Sequence, residues 1–154
     1  MATEHSDAQA VGDSVIDAGM DGTTGSANGD TGAEMEVFKS FTIEAAHQLP
    51  NVPDSHPCAR VHGHSFVIEL WVSGIVGGRS GWVLDFAEIV DAFRPLSEQL
   101  DHRLLNDIEG LTNPTSENLA IWIWDRASTS LRLSKVVVRE TTTSGCVYRG
   151  PRGR

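Results

Sequence analysis

The stretch Cys58-Ala59-Arg60-Val61-His62-Gly63-His64 places a thiol four residues ahead of a His-x-His pair, and a further histidine, His47, lies upstream. On a β-strand, residues i and i+2 point to the same face, so His62 and His64 project side by side, as two imidazoles must to reach one metal. Three histidines with no fourth protein ligand leave one position of a tetrahedral ion open to water or substrate, the arrangement of a catalytic zinc. Two roles are then open to Cys58. It can be a base or nucleophile whose thiolate is favoured by a neighbouring cation, or a fourth ligand that closes a structural site. His-x-His alone is a weak signal, since an ordinary strand shows it on a polar face. His47 and Cys58 add weight to it.

The elements around these residues read as follows. Residues 37–49 form a strand in which Phe41, Ile43 and Ala45 alternate with Thr42, Glu44 and Ala46. Residues 50–61 hold three prolines, an Asn and an Asp, and form a loop. A second strand covers roughly 62–75, with Phe66, Ile68, Leu70 and Val72 on the face that carries His62 and His64. The loop returns the chain, so the strands pair antiparallel and His47 faces the His62/His64 pair across the ladder. After the turn Gly77-Gly78-Arg79-Ser80-Gly81, Asp85 is a candidate N-cap with Glu88 three residues on, a capping box. That helix runs to about Leu100, with Phe86, Ile89, Val90, Phe93 and Leu96 on one stripe and Pro95 interrupting it. Thr115 caps a second helix whose buried stripe is Leu119, Trp122, Ile123 and Ala127. Residues 135–141 form a third strand and Gly145–Arg149 a short fourth. The order ββααββ predicts an α+β fold, a four-stranded antiparallel sheet with two helices on one face.

Of the 154 residues, 1–34 hold seven acids, six glycines, no Lys or Arg and no aromatic residue. Such a segment cannot bury enough apolar surface to offset its ordering entropy, and it is expected to be a disordered acidic tail before a domain at 35–154. Met35 is a candidate start. The rest of the chain carries 14 acids and 12 bases, so the net charge of −9 says little about the domain's partners. No basic patch suggests nucleic acid, and no apolar run reaches membrane-spanning length. No secretory or transit signal is visible. The two cysteines, Cys58 and Cys146, are expected to be reduced thiols in a cytoplasmic protein, with Cys146 as packing.

Six ordered stretches resemble the 6-pyruvoyl-tetrahydropterin synthase family, and most closely its queuosine-pathway branch, the 6-carboxy-5,6,7,8-tetrahydropterin synthases. They are Phe41-Thr42-Ile43-Glu44-Ala45-Ala46-His47, Cys58 through Phe66, Gly81 through Phe86, Leu100-Asp101-His102 with Leu105-Asn106, Asn113 through Glu117, and Arg139-Glu140-Thr141. The resemblance implies the tunnelling fold (T-fold), whose ββααββ order agrees with the independent reading. It also implies sheets joined into a barrel, a homohexamer built as a dimer of trimers, and active sites between subunits. It makes His47, His62 and His64 the zinc ligands and Cys58 the catalytic base. Asp101 and His102 become a proton-transfer pair, and Glu140, with Thr141, a substrate-binding and proton-relay site. The substrate implied is 7,8-dihydroneopterin triphosphate. The product is 6-carboxytetrahydropterin, formed by a carbon–carbon lyase with loss of acetaldehyde and triphosphate. No phosphate-cradling glycine loop is present, and Arg60, Arg149 and Arg152 are weak candidates for the triphosphate.

Other readings compete. Asp101-His102 can simply cap a helix C-terminus, and Glu140 can be an ordinary strand residue. A 6-pyruvoyl-tetrahydropterin synthase proper eliminates triphosphate without splitting the side chain. A three-histidine iron dioxygenase would leave Cys58, the Asp-His pair and Glu140 without a clear role, and a metal-binding module without activity is excluded by a single turnover assay.

Overall fold

Alternation of apolar and polar residues extends further along the first strand than residues 37–49. In a computed structural model, which describes residues 32–152, strand β1 spans Glu34–His47. Glu34, which composition assigns to the tail, is its first residue and pairs with Ile75, and Met35 pairs with Gly74. Residues 1–31 of the tail lie outside the described residues. β1 pairs antiparallel with β2 (His62–Ile75) along its whole length, and His47 stands opposite His62. β4 (Leu133–Arg139) lies on the far side of β2, with a register shift between Trp71 and Val72, and β5 (Gly145–Tyr148) closes that edge.

The expected four-stranded antiparallel sheet is corrected in one respect. A two-residue strand, β3 (Arg103–Leu104), runs parallel to Ala45–Ala46 on the outer edge of β1, giving a five-stranded mixed sheet in the order β3-β1-β2-β4-β5. Two residues carry no periodic signal. Their pairing arises because the chain leaves helix α1 (Phe86–Leu100) beside an open strand edge, and the His102 N–H donates to Glu44 O at 2.6 Å. The third long strand also sits two residues earlier than expected, at 133–139. Glu140 and Thr141 therefore lie in the turn into β5, where both backbone N–H groups donate to Ser144 O.

Both helices pack on one face of the sheet, α1 against β1 and α2 (Ser116–Ala127) against β4 and β5. Between them lie Ile43, Phe66, Ile68, Leu70, Val136 and Val138, all essentially sealed from solvent. Each such side chain stabilises the fold by about 1.5–3 kcal/mol. The capping box at Asp85 and Glu88 forms as the sequence predicts, and Thr115 caps α2 by accepting from the Asn118 N–H. α1 continues through Pro95, and its buried stripe is Ile89, Phe93, Leu96 and Leu100. Phe86, expected on that stripe, is instead half exposed at the first turn. On the helix-free face Phe38 stacks on Trp71 at 4.2 Å, the Lys135 ammonium lies 3.7 Å over the Trp71 ring, and Glu69 pairs with Arg139. Among the described residues no helix is long and apolar enough to cross a membrane.

Candidate active site and metal centre

The two strands bring the histidines together because their core faces continue into them. His47 follows Ile43 and Ala45 on β1, and His62 and His64 precede Phe66 on β2. Phe66 packs edge-on against the rings of His47 and His64, at centroid distances of 5.5 Å and 5.3 Å, and forms the floor of the cluster. One nitrogen from each imidazole lies within 4.8 Å of the other two.

Hydrogen bonds from outside the cluster decide which nitrogens those are. His47 Nδ1–H donates to the Pro114 carbonyl at 2.7 Å, and His62 Nδ1–H donates to the Arg60 carbonyl at 2.8 Å. A carbonyl only accepts, so both rings carry their proton on Nδ1 and turn the Nε2 lone pair inward. These two Nε2 atoms face each other at 3.0 Å. Two lone pairs at that separation repel unless a cation lies between them. His64 Nε2 is buried and has no hydrogen-bond partner among the described residues. Three inward acceptors, two oriented by carbonyls and one unsatisfied, fit a metal ion. Burial pushes the His47 imidazole below its ordinary value, and the neighbouring His62 and His64 push the same way. The Pro114 carbonyl and the Glu140 carboxylate oppose the shift. The ring is thus held neutral, the form that binds metal.

Cys58 sits in a 3₁₀ turn, Pro57–Ala59, in the loop before β2, half-buried and unpaired. Its carbonyl accepts from the Leu49 N–H at 2.8 Å, which ties the turn to the chain two residues past His47. The sulfur is not among the clustered ligand atoms, which come from the three histidines alone. Asp101 is the C-cap of α1, as one reading of the sequence has it, and its side chain does more. Oδ1 accepts from the Glu44 N–H at 2.8 Å and Oδ2 from His102 Nδ1 at 2.9 Å. The Glu44 N–H, and then His102, hold the Asp101 carboxyl below its usual range. His102 is the single non-glycine residue among those described with positive φ, at 56°. Left-handed backbone costs a non-glycine residue roughly 1–2 kcal/mol, and such conformations cluster at functional sites.

Within one chain these groups fall into two clefts that meet at His64. One, of about 590 Å³, is lined by His64, Ser65, Glu44 and His102. The other, of about 780 Å³, is lined by His64, Arg139, Glu140 and Thr141. His102 and Glu140 share no cleft, Cys58 lines neither, and neither do Arg60, Arg149 and Arg152. Sequence reasoning passed over Glu44 and Ser65, which face each other across the ladder and join through Ser65 Oγ donating to Glu44 Oε2 at 2.8 Å. The signal was present, since both lie on the polar alternation of their strands. Cys146 is half-buried beside the core and burial pushes its thiol up, in keeping with a packing role.

A mixed, mostly antiparallel sheet backed by two helices, with three histidines able to hold a metal at one end of the β1–β2 pair, defines an α+β domain with a candidate metal centre. The profile of the 6-pyruvoyl tetrahydropterin synthase family matches residues 36–151. A Synechocystis protein named 6-carboxy-5,6,7,8-tetrahydropterin synthase is 40% identical over 75% of this chain and 94% of its own length. A Bacillus subtilis protein of the same name is 34% identical over 77% of this chain and 87% of its own. A solved structure of Caenorhabditis elegans 6-pyruvoyl tetrahydropterin synthase superposes with a TM-score of 0.72 at 27% identity, covering 77% of this chain and 97% of that one. The chain belongs to the 6-pyruvoyl tetrahydropterin synthase family and is a lyase of it.

Proposed function

We propose that the protein is a zinc-dependent 6-carboxy-5,6,7,8-tetrahydropterin synthase. It takes 7,8-dihydroneopterin triphosphate to the 6-carboxy product with release of acetaldehyde and triphosphate, a step toward 7-deazapurines of the queuosine type. The observation that carries the choice of reaction is 40% identity to a protein of that name over nearly its full length. The alternative, triphosphate elimination to the 6-pyruvoyl product, has the name of the C. elegans structure in its favour at lower identity. Family membership leaves no place for the dioxygenase reading.

Zinc is favoured by the all-imidazole donor set, in which the Nε2 atoms of His47 and His62 meet at 3.0 Å and, among the described residues, no fourth protein ligand joins the three histidines. An ion held by His47, His62 and His64 would supply Lewis-acid polarisation of a substrate side-chain oxygen. The chain's own residues do the remainder. Cys58 removes a side-chain proton as a general base. His102 carries a proton through Nε2, with Nδ1–H held by the Asp101 carboxylate. Glu140 accepts hydrogen bonds from the amino-pyrimidine edge of the pterin, and Thr141 borders the same cleft. Phe66 and the core behind it keep water from the buried side of the histidines.

The family resemblance implies a homohexamer, a dimer of trimers, in which subunits complete each other's sites, and the placing of His102 and Glu140 in separate clefts of one chain, with Cys58 lining neither, accords with it. Two unpaired cysteines accord with a cytoplasmic location. Mass spectrometry of products after incubation with dihydroneopterin triphosphate tests the reaction. A 6-carboxypterin with stoichiometric acetaldehyde supports it, and a 6-pyruvoyl product refutes it in favour of the alternative.

A further inference from the structure

Both backbone polar groups of Cys58 are pinned. Its carbonyl accepts from Leu49 N–H, a bond between main-chain groups that sets the distance of the turn from β1. Its N–H donates to the Nδ1 atom of His56 at 3.1 Å, the one anchor of Cys58 among the described residues that depends on a side chain. His56 is the N-cap of the Pro57–Ala59 turn, with extended backbone at φ −73° and ψ 136°, and its carbonyl accepts from the Ala59 N–H. Its own N–H donates to Pro53 O at 2.8 Å, so the residue is itself held in place. Histidine is an unusual cap. Asn, Asp, Ser and Thr fill that role more commonly, with a side-chain oxygen accepting the N–H that the ring nitrogen accepts here. Pro57, with fixed φ and no N–H, leaves the Cys58 N–H as the first donor of the turn.

We propose that His56 is a positioning residue for Cys58. Its Nδ1 fixes the turn that presents the thiol, and His56 is not one of the three clustered metal ligands. The proposal rests on the reading of Cys58 as the base for its catalytic consequence, but the geometry it asserts stands independently of that reading. Losing an N-cap shifts a local conformational equilibrium by a factor of about two to thirty, and that factor sets the expected effect on any rate that needs the presented thiol.

The test uses the full-length zinc-loaded protein and three forms, wild type, His56→Ala and His56→Asn. The asparagine keeps a cap acceptor and removes the imidazole. Two quantities are read, kcat and KM on dihydroneopterin triphosphate, and the iodoacetamide alkylation rate of Cys58, followed by mass spectrometry of its own peptide so that Cys146 does not contribute. We expect His56→Ala to lower kcat within that two- to thirtyfold range with KM and zinc content unchanged, and to change the Cys58 alkylation rate by a similar factor. His56→Asn should recover more than half of each His56→Ala effect on a logarithmic scale. Wild-type values of both quantities in His56→Ala overturn the proposal. So does His56→Asn behaving like His56→Ala, which would make the ring itself a participant, and so does loss of zinc from either variant. If Cys58→Ala keeps normal turnover, the base assignment falls, while the alkylation comparison still decides whether His56 holds the turn.

Discussion

Replacing Asp101 with Asn tests the proposed proton-transfer pair, Asp101 and His102, with the least disturbance elsewhere. The native carboxylate accepts twice, from Glu44 N–H at 2.8 Å and from His102 Nδ1–H at 2.9 Å. With Oδ2 accepting, Nδ1 must carry the proton, and the Nε2 lone pair is presented to the cleft shared with His64. Asn has one oxygen and one NH₂. If the oxygen keeps the Glu44 N–H, the NH₂ faces Nδ1, which must then accept, and the ring proton moves to Nε2. The imidazole stays in place but offers a donor where the proposed proton transfer needs an acceptor. Loss of a correctly protonated general base costs about 10²–10⁴ in rate. Stability should change little, because the side chains of His102 and Asp101 are 77% and 40% exposed and exposed pairs contribute weakly. Zinc content should not change, since Asp101 contacts none of the three histidines through the hydrogen bonds of its side chain. The sign of the pH effect also follows. The Asp101 carboxyl is held below its ordinary 3.8, first by the Glu44 N–H and then by His102. A depressed carboxyl contributes stability that is complete above the unfolded value and is lost as pH falls through the lower folded value. The difference in urea midpoint between wild type and Asp101→Asn should thus be flat at neutral pH and vanish on the acid side of 3.8. Steady-state turnover, metal analysis and urea titrations read the three quantities. A kcat within threefold of wild type refutes the role of the pair, and a loss of zinc refutes its separation from the metal centre.

Cys58→Ala should keep its metal and lose about 10²–10⁴ in triphosphate release; a variant that sheds the metal makes Cys58 a ligand, and one with near-normal turnover removes it from the chemistry. His62→Ala removes one of two lone pairs that meet at 3.0 Å, so inductively coupled plasma mass spectrometry should find most of the bound zinc gone, and stoichiometric metal would overturn the ligand set. Phe66→Ala empties a fully buried site beneath His47 and His64, and calorimetry should show a loss of about 3–5 kcal/mol together with weaker metal retention. A loss below about 1 kcal/mol would mean that the floor of the cluster collapses to fill the space.

The parts of this protein legible in its sequence are those governed by local rules. The period-2 alternation of residues 41–47 and 62–72 fixes which side chains share a face, and His47, His62 and His64 lie on the core parity of both strands. Caps at Asp85 and Thr115 were equally readable, because a cap is a contact over two or three residues. Where the sequence misled, a longer-range contact won. Phe86 fits the helical stripe but falls on the first turn and stays half exposed, whereas Ile89 and Phe93 are buried. Arg103 and Leu104 carry no strand signal, and only the open edge of β1 pairs them.

Types and spacing of residues named the candidate ligands, but only the tertiary structure decided which nitrogens face inward. That choice is made by Pro114, 67 residues from His47 along the chain, and by the Arg60 carbonyl behind His62. The division of the site into two clefts meeting at His64 is likewise absent from any local pattern. It follows from β1 and β4 lying on opposite sides of β2, which carries His102 to one flank of the histidines and Glu140 to the other. Strand order is set by burial of the shared apolar face, an energy summed over the whole core, whereas the sequence motifs record only the chemistry that each segment brings to it.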